Sequence, residues 1–171
     1  MIELRELAPD DAGPVQRIYS PESVRYLDRG PMDLREAQEF VAVAVAAATR
    51  SPRTLHTLGL VVDGDLLGIV KLHLDRPVAA VSYILRSDAW GRGYATEGLR
   101  KVLVLGLGHL RLPEIHARHH PGNVASGRVL LKAGFTRTGV RGHSLAYAVR
   151  APLTAASATP HHRSTPWNVP S

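Results

Sequence analysis

Along this chain the spacing of apolar residues changes repeatedly, and each change marks an element. Ile2, Leu4 and Leu7 alternate with Glu3, Arg5 and Glu6, which predicts a first strand with one polar face. A helix starting at Asp10 or Asp11 and reaching about Tyr19 follows, then a turn at Ser20-Pro21-Glu22. Asp33, with Glu36 in the third position after it, forms a capping-box pair in which Asp replaces Ser or Thr. It opens a helix running through Phe40 to Thr49. Thr57 to Val62 and Leu66 to Leu74 are β-branched, apolar runs on either side of Asp63-Gly64-Asp65, a hairpin signal. Asp75-Arg76-Pro77 then turns the chain into a third strand, Val78 to Leu85. From Tyr94 to Leu110 apolar residues occupy nearly the whole helical circumference, which predicts a buried helix. Ile115 to Arg118 reads as a short strand, and Asn123 as the N-cap of a helix that ends at Gly134. Phe135 to Val140 and Leu145 to Arg150 are the last two strands. There is no internal repeat.

After Arg150 the pattern is lost. Pro152, Pro160, Pro166 and Pro170 punctuate Ala, Ser and Thr with no acidic residue, which reads as a disordered tail unless Trp167 anchors it. The division expected is therefore one domain over 1–150 and a tail over 151–171. With no cysteine the chain has no disulfide framework, no thiolate metal site and no acyl-cysteine intermediate. Met-Ile-Glu-Leu-Arg-Glu does not resemble a signal peptide, and the longest apolar run, Phe40 to Ala48, is too short to span a bilayer. A cytoplasmic protein without membrane contact is the expectation. The net charge of +6 raises the question of nucleic acid, but the arginines are scattered and aromatic residues are only 5%. A basic surface also attracts a multiply phosphorylated small anion.

Ser82 to Ala95 carries the first candidate chemistry. Tyr83, Ile84 and Leu85 end a strand, Gly91 and Gly93 permit a tight turn, and a helix begins at once. A helix start offers unpaired N–H groups and a positive dipole end, so the segment makes a phosphate cradle. It is not a dinucleotide fingerprint, because Thr96 stands at the third glycine position, and it lacks the Gly-Lys of a P-loop. The second segment is Asn123-Val-Ala-Ser126-Gly-Arg-Val-Leu-Leu-Lys-Ala-Gly134-Phe135. Taken alone, Asn123 and Ser126 are an N-cap and a first-turn serine on one helical face. His116, His119 and His120 suggest a metal, but positions three apart on a strand point to opposite faces and no Cys, Asp or Glu completes a set. No metal is expected.

Taken together with Trp90-Gly-Arg-Gly-Tyr-Ala-Thr-Glu97, the second segment resembles the GNAT superfamily of acyl-CoA N-acyltransferases, and more narrowly the branch with the ribosomal-protein alanine N-acetyltransferases. The resemblance covers most of Met1 to Arg150. It implies an α+β fold: a mixed, mostly antiparallel central sheet with helices on both faces, parallel only where the two motif segments meet. It implies acetyl-CoA as acyl donor and a primary amine as acceptor, on a peptide N-terminus or a small metabolite, with direct attack in a ternary complex. It leaves room for a homodimer. The main chain of Tyr83, Ile84 and Leu85 would pair with the pantetheine arm, with an N–H near Ile84 on the thioester oxygen. The N–H groups of Arg92, Gly93, Ala95 and Thr96 would hold the diphosphate, the Arg92 side chain adding charge. Asn123 would bond the pantetheine amide region.

Two positions depart from the family pattern. Many relatives carry a tyrosine seven residues after the Asn as the acid; here that position is Leu130, and Ser126 is the substitute. Relatives often carry a glutamate early in the third strand, where this chain has Ala80. His73 and His143 remain as candidate bases, since the imidazole's ordinary pKa of about 6.5 suits proton acceptance. Each reads more readily as a surface or packing histidine than as a base. Without a carboxylate at Ala80 the site is expected to favour α-amines over lysine side chains. Two other readings stay open at this point: a non-catalytic acyl-CoA-binding module, favoured by Ala80 and Leu130, and a basic nucleic-acid-binding protein.

Overall fold

The structure is a computed structural model that describes residues 1–75 and 77–152. Arg76, in the middle of the Asp75-Arg76-Pro77 turn, and residues 153–171, nearly all of the expected tail, lie outside the described residues. The strands are β1 Ile2–Glu6, β2 Leu55–Val62, β3 Asp65–His73, β4 Ala80–Leu85, β5 Glu114–His119, β6 Thr136–Arg141 and β7 Ser144–Arg150. The helices are α1 Ala12–Ile18, α2 Leu34–Ala48, α3 Tyr94–Leu103 and α4 Val124–Ala133. One seven-stranded sheet results, in the order β1-β2-β3-β4-β5-β7-β6. Every neighbouring pair is antiparallel except β4 and β5. This is the α+β, mostly antiparallel sheet expected, with its parallel step where the two motif-bearing segments meet.

Local sequence accounts for most boundaries. Asp33 and Glu36 form the reciprocal capping box at the start of α2, each backbone N–H reaching the other's carboxylate at 2.8 Å. Asp63 and Gly64 take φ of 50° and 85°, the two left-handed positions that a two-residue hairpin needs to match the twist of its strands. The helix expected from Asp10 or Asp11 begins as a 3-10 turn, Pro9–Asp11, that runs into α1. Asp11 is turned inward at that junction. It accepts from the Arg5 guanidinium at 2.7 and 2.9 Å and from the Ala8 N–H at 2.7 Å, and the Arg5 bond holds its carboxyl below the ordinary range.

Alternation along the strands separates two cores. Leu60, Val70, Leu72, Val81 and Ile115 face α3 and α4, where they meet Leu99, Val102 and Leu130. Val61, Leu66, Ile69 and Ile84 face α1 and α2, where they meet Val15, Ile18 and Val41. Helices thus cover both faces. Gly98 lets α3 lie against the sheet: a Cβ there would sit 2.4 Å from Leu60 Cδ1.

The helix expected from Tyr94 to Leu110 differs from its reading in two ways. The α-helix stops at Leu103 and gives way to a π turn over Val104–His109, and Val104 is 61% exposed, so the segment is not buried on all sides. The wider turn brings Gly106 over Ile115, where a Cβ would come within 2.5 Å of Cδ1. Val104 is rotated to solvent in the same turn. The third strand begins at Ala80 rather than at Val78.

Candidate active site

The site starts at the end of β4. Leu85 O accepts from Trp90 Nε1 at 3.2 Å and from Ser23 Oγ at 2.9 Å, which ties both the glycine turn and the loop after α1 to the strand. Arg86 braces the turn from below, bonded to Asp88 at 2.6 Å and to Asp65 at 2.9 Å. Gly93 is the N-cap of α3, with φ of 80°, and no side chain caps the helix. A Cβ at Gly93 would meet nothing within 4 Å, so the turn has open space beside it. Arg92 is exposed, whereas Ala95 and Thr96 are buried. The turn is therefore an uncapped, positively polarised cradle.

Below the cradle the sheet opens. β4 and β5 pair at one position, Ala80 with His116, where the His116 N–H donates to Ala79 O at 2.8 Å. Toward Leu85 and His119 the ladder stops, and both strands line a cleft of about 1340 Å³. Strand pairing decides which main-chain groups face it. The Arg86 N–H donates to Leu67 O at 2.8 Å across the β3–β4 register, and bonding pairs recur at every second position. Ile84 consequently directs its N–H at Ile69 in β3, so of the three residues expected on the pantetheine arm it is the one whose N–H is taken up within the sheet. The main-chain groups of Tyr83 and the N–H of Leu85 point to the side away from β3, while Leu85 O is taken by Trp90 and Ser23.

The far wall is the start of α4. Asn123 Oδ1 accepts the Ser126 N–H at 3.1 Å, as an N-cap does, and its Nδ2 is left for a ligand. The Tyr83 side chain crosses from the sheet to meet the same turn: its Oη lies 2.6 Å from Ser126 Oγ and 3.2 Å from Ser126 O. Burial pushes the Tyr83 hydroxyl up to about 12, against the opposite pull of the Ser126 bond, so it stays a proton donor at any ordinary pH. Tyr83 has one hydrogen for these two contacts: directed at Ser126 O, which only accepts, it leaves Ser126 Oγ donating to Tyr83 Oη; directed at Ser126 Oγ, it frees the serine's own O–H. Behind this pair, His119 Nε2 and Tyr147 Oη are 3.1 Å apart, and His119 Nδ1 bonds His120 O at 2.7 Å. A carbonyl only accepts, so Nδ1 carries the hydrogen and Tyr147 donates to Nε2. Gly127 leaves room for these rings: a Cβ there would be 2.9 Å from His119 Nε2.

Residues 2–136 match the family described as the acetyltransferase (GNAT) domain. The chain belongs to the GNAT acetyltransferase family. It is similar to p20, an N-acetyltransferase of Bacillus licheniformis, with 22% identity over 144 residues that cover 81% of each chain. In fold it resembles RimJ of Mycobacterium smegmatis in complex with CoA-disulfide, with a TM-score of 0.72, 22% identity, and coverage of 88% of this chain and 82% of that one. It is similarly close to the aminoglycoside acetyltransferase AAC(6')-Ib in complex with coenzyme A and kanamycin. There the TM-score is 0.72 at 18% identity, and 88% of this chain and 95% of that one are covered.

Three of the positions singled out in this GNAT chain call for comment. Leu130, at the family's tyrosine position, is wholly buried in the α3–α4 core, and the hydroxyl that reaches the first turn of α4 comes from Tyr83 instead. His143 lies on the exposed β6–β7 turn, outside the cleft lining. His73 ends β3 in register with Ala80 and does line the cleft. Across Ala80 on its other side stands His116, which bonds Glu114, and Glu114 also accepts from Arg150 Nε at 2.7 Å. These two bonds hold the Glu114 carboxyl below its ordinary range. The Glu-x-His spacing on a strand was the available signal for this pair, since it places both side chains on one face. The three histidines weighed as metal ligands do not converge: His116 holds Glu114, His119 holds Tyr147, and His120 Nδ1 accepts from Gly122 N at 3.0 Å.

Proposed function

We propose that this N-acetyltransferase moves the acetyl group of acetyl-CoA to an α-amino group, on a peptide N-terminus or a small metabolite, by direct attack in a ternary complex. The observation that carries the reading is the opening between β4 and β5, which has the uncapped glycine turn at its mouth and the Tyr83–Ser126 hydroxyl pair on its wall. The cradle would take the diphosphate through the N–H groups of Arg92, Gly93, Ala95 and Thr96. The pantetheine arm would complete the interrupted ladder against Tyr83 and Leu85, with Asn123 Nδ2 on one of its carbonyls. Ser126, backed by Tyr83, would protonate the departing thiolate. The hydroxyl pair offers a donor where Leu130 has none, which supports transfer over a non-catalytic binding module.

Two features favour an α-amine. The described cleft lining holds only two carboxylates, Asp28 and Glu114, and the second is engaged by His116 and Arg150. A polycationic acceptor of the kanamycin kind would meet little compensating charge there, with Arg118 and Arg141 in the same lining. An α-amine also has a pKa near ~7.7 to 8.0 against ~10.4 for lysine, a gap of more than two units at about 1.36 kcal/mol each. The test is thiol release from acetyl-CoA with matched peptides offering either amine, and with kanamycin, from pH 6 to 10. Preference for the α-amine at neutral pH is expected. Preference for lysine or kanamycin overturns the acceptor reading, and coenzyme binding without thiol release from any amine overturns the transfer itself.

A further inference from the structure

We propose that His116 takes the proton from the acceptor amine, and that Glu114, itself held by Arg150, positions His116 for it. The inference rests on the transfer reading above and adds the base that reading lacks. It begins from the row of side chains on the α1–α2 face of the sheet. Glu114 and His116 are two apart on β5 and so share that face, and Arg150 stands opposite Glu114 in the β5–β7 register. His116 Nε2 bonds one Glu114 oxygen, and Arg150 Nε donates to the other at 2.7 Å. An ionised carboxylate only accepts, so Nε2 carries the hydrogen and Nδ1 keeps the free lone pair. A carboxylate that fixes the tautomer of an imidazole is the arrangement a general base requires.

Its position supports the same role. His116 pairs with Ala80 at the last rung before β4 and β5 part, so it stands at the inner end of the opening. Ala80 presents only a methyl group between His116 and His73, which leaves space on this face of the sheet for an incoming amine. Both Glu114 and His116 line the cleft and are about a quarter exposed, 23% and 27%. The charged and titratable groups around His116 include Glu114 and Arg118 on its own strand, Arg150 from β7, Arg141 from β6, His73 and Lys71 from β3, and Asp28 from the loop after α1. From β4 this face receives only Ala80, Ser82 and Ile84.

The proton count closes. The acceptor ammonium gives one proton to His116 Nδ1, which releases it to solvent. The neutral amine then forms the C–N bond at the thioester carbonyl, and as the C–S bond breaks a second proton leaves the nitrogen and one reaches the sulfur through Ser126. Thioester and ammonium become amide, thiol and one solvent proton.

Steady-state kinetics with acetyl-CoA and α-amine peptides from pH 6 to 10 test it. His116→Gln is expected to lower kcat/KM by about 10²- to 10⁴-fold at neutral pH, with the deficit shrinking as the pH rises and the amine deprotonates itself. Coenzyme A affinity, measured by calorimetry, is expected to hold, which also reports folding. Glu114→Gln is expected to lower kcat while leaving coenzyme A affinity and the KM for acetyl-CoA in place, and the conservative Glu114→Asp is expected to recover part of the loss, a split that a merely structural residue would not give. A second readout needs no acceptor. In long-range ¹H–¹⁵N spectra of the coenzyme A complex at pH 9, His116 is expected as the Nε2–H tautomer in the native protein, and Glu114→Gln is expected to alter that pattern. An active native enzyme with an equally active His116→Gln variant, a fully active Glu114→Gln variant, or a proton on Nδ1 overturns the inference and leaves the transfer reading standing. Absence of thiol release from the native enzyme overturns the transfer reading, and the tautomer then decides the positioning by itself.

Discussion

Tyr83→Phe removes one oxygen atom and keeps the ring. The ring is packed against the α3–α4 core, so packing is retained and the folding penalty is that of a single neutral hydrogen bond, about 1 kcal/mol net. The effect on turnover is larger. In the proposed reaction the Ser126 hydroxyl donates toward a sulfur that gains negative charge, and Tyr83, 2.6 Å behind it, supports that donation. A hydrogen bond to a charged group is worth about 1.5–3 kcal/mol, and at about 1.4 kcal/mol per factor of ten this corresponds to a loss of roughly 10- to 150-fold in kcat. Ser126→Ala removes the donor itself, and its loss is expected to fall within the about 10²- to 10⁴-fold range of acid–base catalysis. Because Tyr83 acts through Ser126, the double variant is expected to be no slower than Ser126→Ala alone.

The assay is thiol release at saturating acetyl-CoA, with calorimetric titration of coenzyme A beside it so that a binding change is not mistaken for a chemical one. Both single variants are expected to bind coenzyme A nearly as the native enzyme does. A Tyr83→Phe enzyme with kcat within twofold of native refutes the reasoning. So does a double variant whose loss is the product of the two single losses, since that would make the hydroxyls independent.

Gly93→Asp places a carboxylate beside the cradle. Two unit charges about 4 Å apart repel by about 1 kcal/mol in water and about 4 kcal/mol near a protein surface, so coenzyme A affinity is expected to fall between fivefold and nearly a thousandfold, and unchanged affinity in a folded variant would refute the cradle. Gly127→Ala drives a Cβ toward His119 and Tyr147 and is expected to destabilise the fold by about 1–3 kcal/mol, read by chemical denaturation. Asp11→Asn tests the Arg5 bond. The folded-state pKa of Asp11 is depressed, so its contribution is present above the unfolded carboxylate range and is lost as the pH falls through the folded value. The variant is expected to be about 2 kcal/mol less stable at pH 7 and to converge with native toward pH 2; a deficit independent of pH would assign the loss to packing instead.

Features built from neighbouring residues were readable before the fold. The Asp33–Glu36 capping box, the Asp63-Gly64 hairpin and Asn123 as N-cap all depend on groups within one turn, and each stands where the pattern puts it. The departures come from partners far apart in the chain. Whether the Ile84 N–H faces β3 or the cleft depends on which strand pairs on which side, which no local spacing reports. Tyr83 and Ser126 are separated by 43 positions, so the hydroxyl that replaces the family tyrosine is visible only once the sheet and α4 are assembled. His116 and Glu114 lie within one strand, yet their importance comes from Ala80 beside them and from Arg150 across β7. The π turn after Leu103 follows from the fit of Gly106 over Ile115, again a contact between distant segments.

The single rung between Ala80 and His116 also divides the molecule mechanically. β1 to β4 form one leaf and β5, β7 and β6 another, joined in the sheet at that rung and elsewhere by the shared α3–α4 core and the Tyr83–Ser126 bond. A bound pantetheine chain would act as a stitch across both leaves, so ligand occupancy, rather than the polypeptide alone, would set the stiffness of the seam. Hydrogen exchange at Tyr83, Leu85 and Arg118 should slow together when the stitch is in place, while Ile84, already bonded within its own leaf, should barely change. The arrangement further allows the second leaf, which carries Glu114, His116 and Arg150, to change its side chains with little disturbance to the hydrophobic support of the coenzyme cradle on the first.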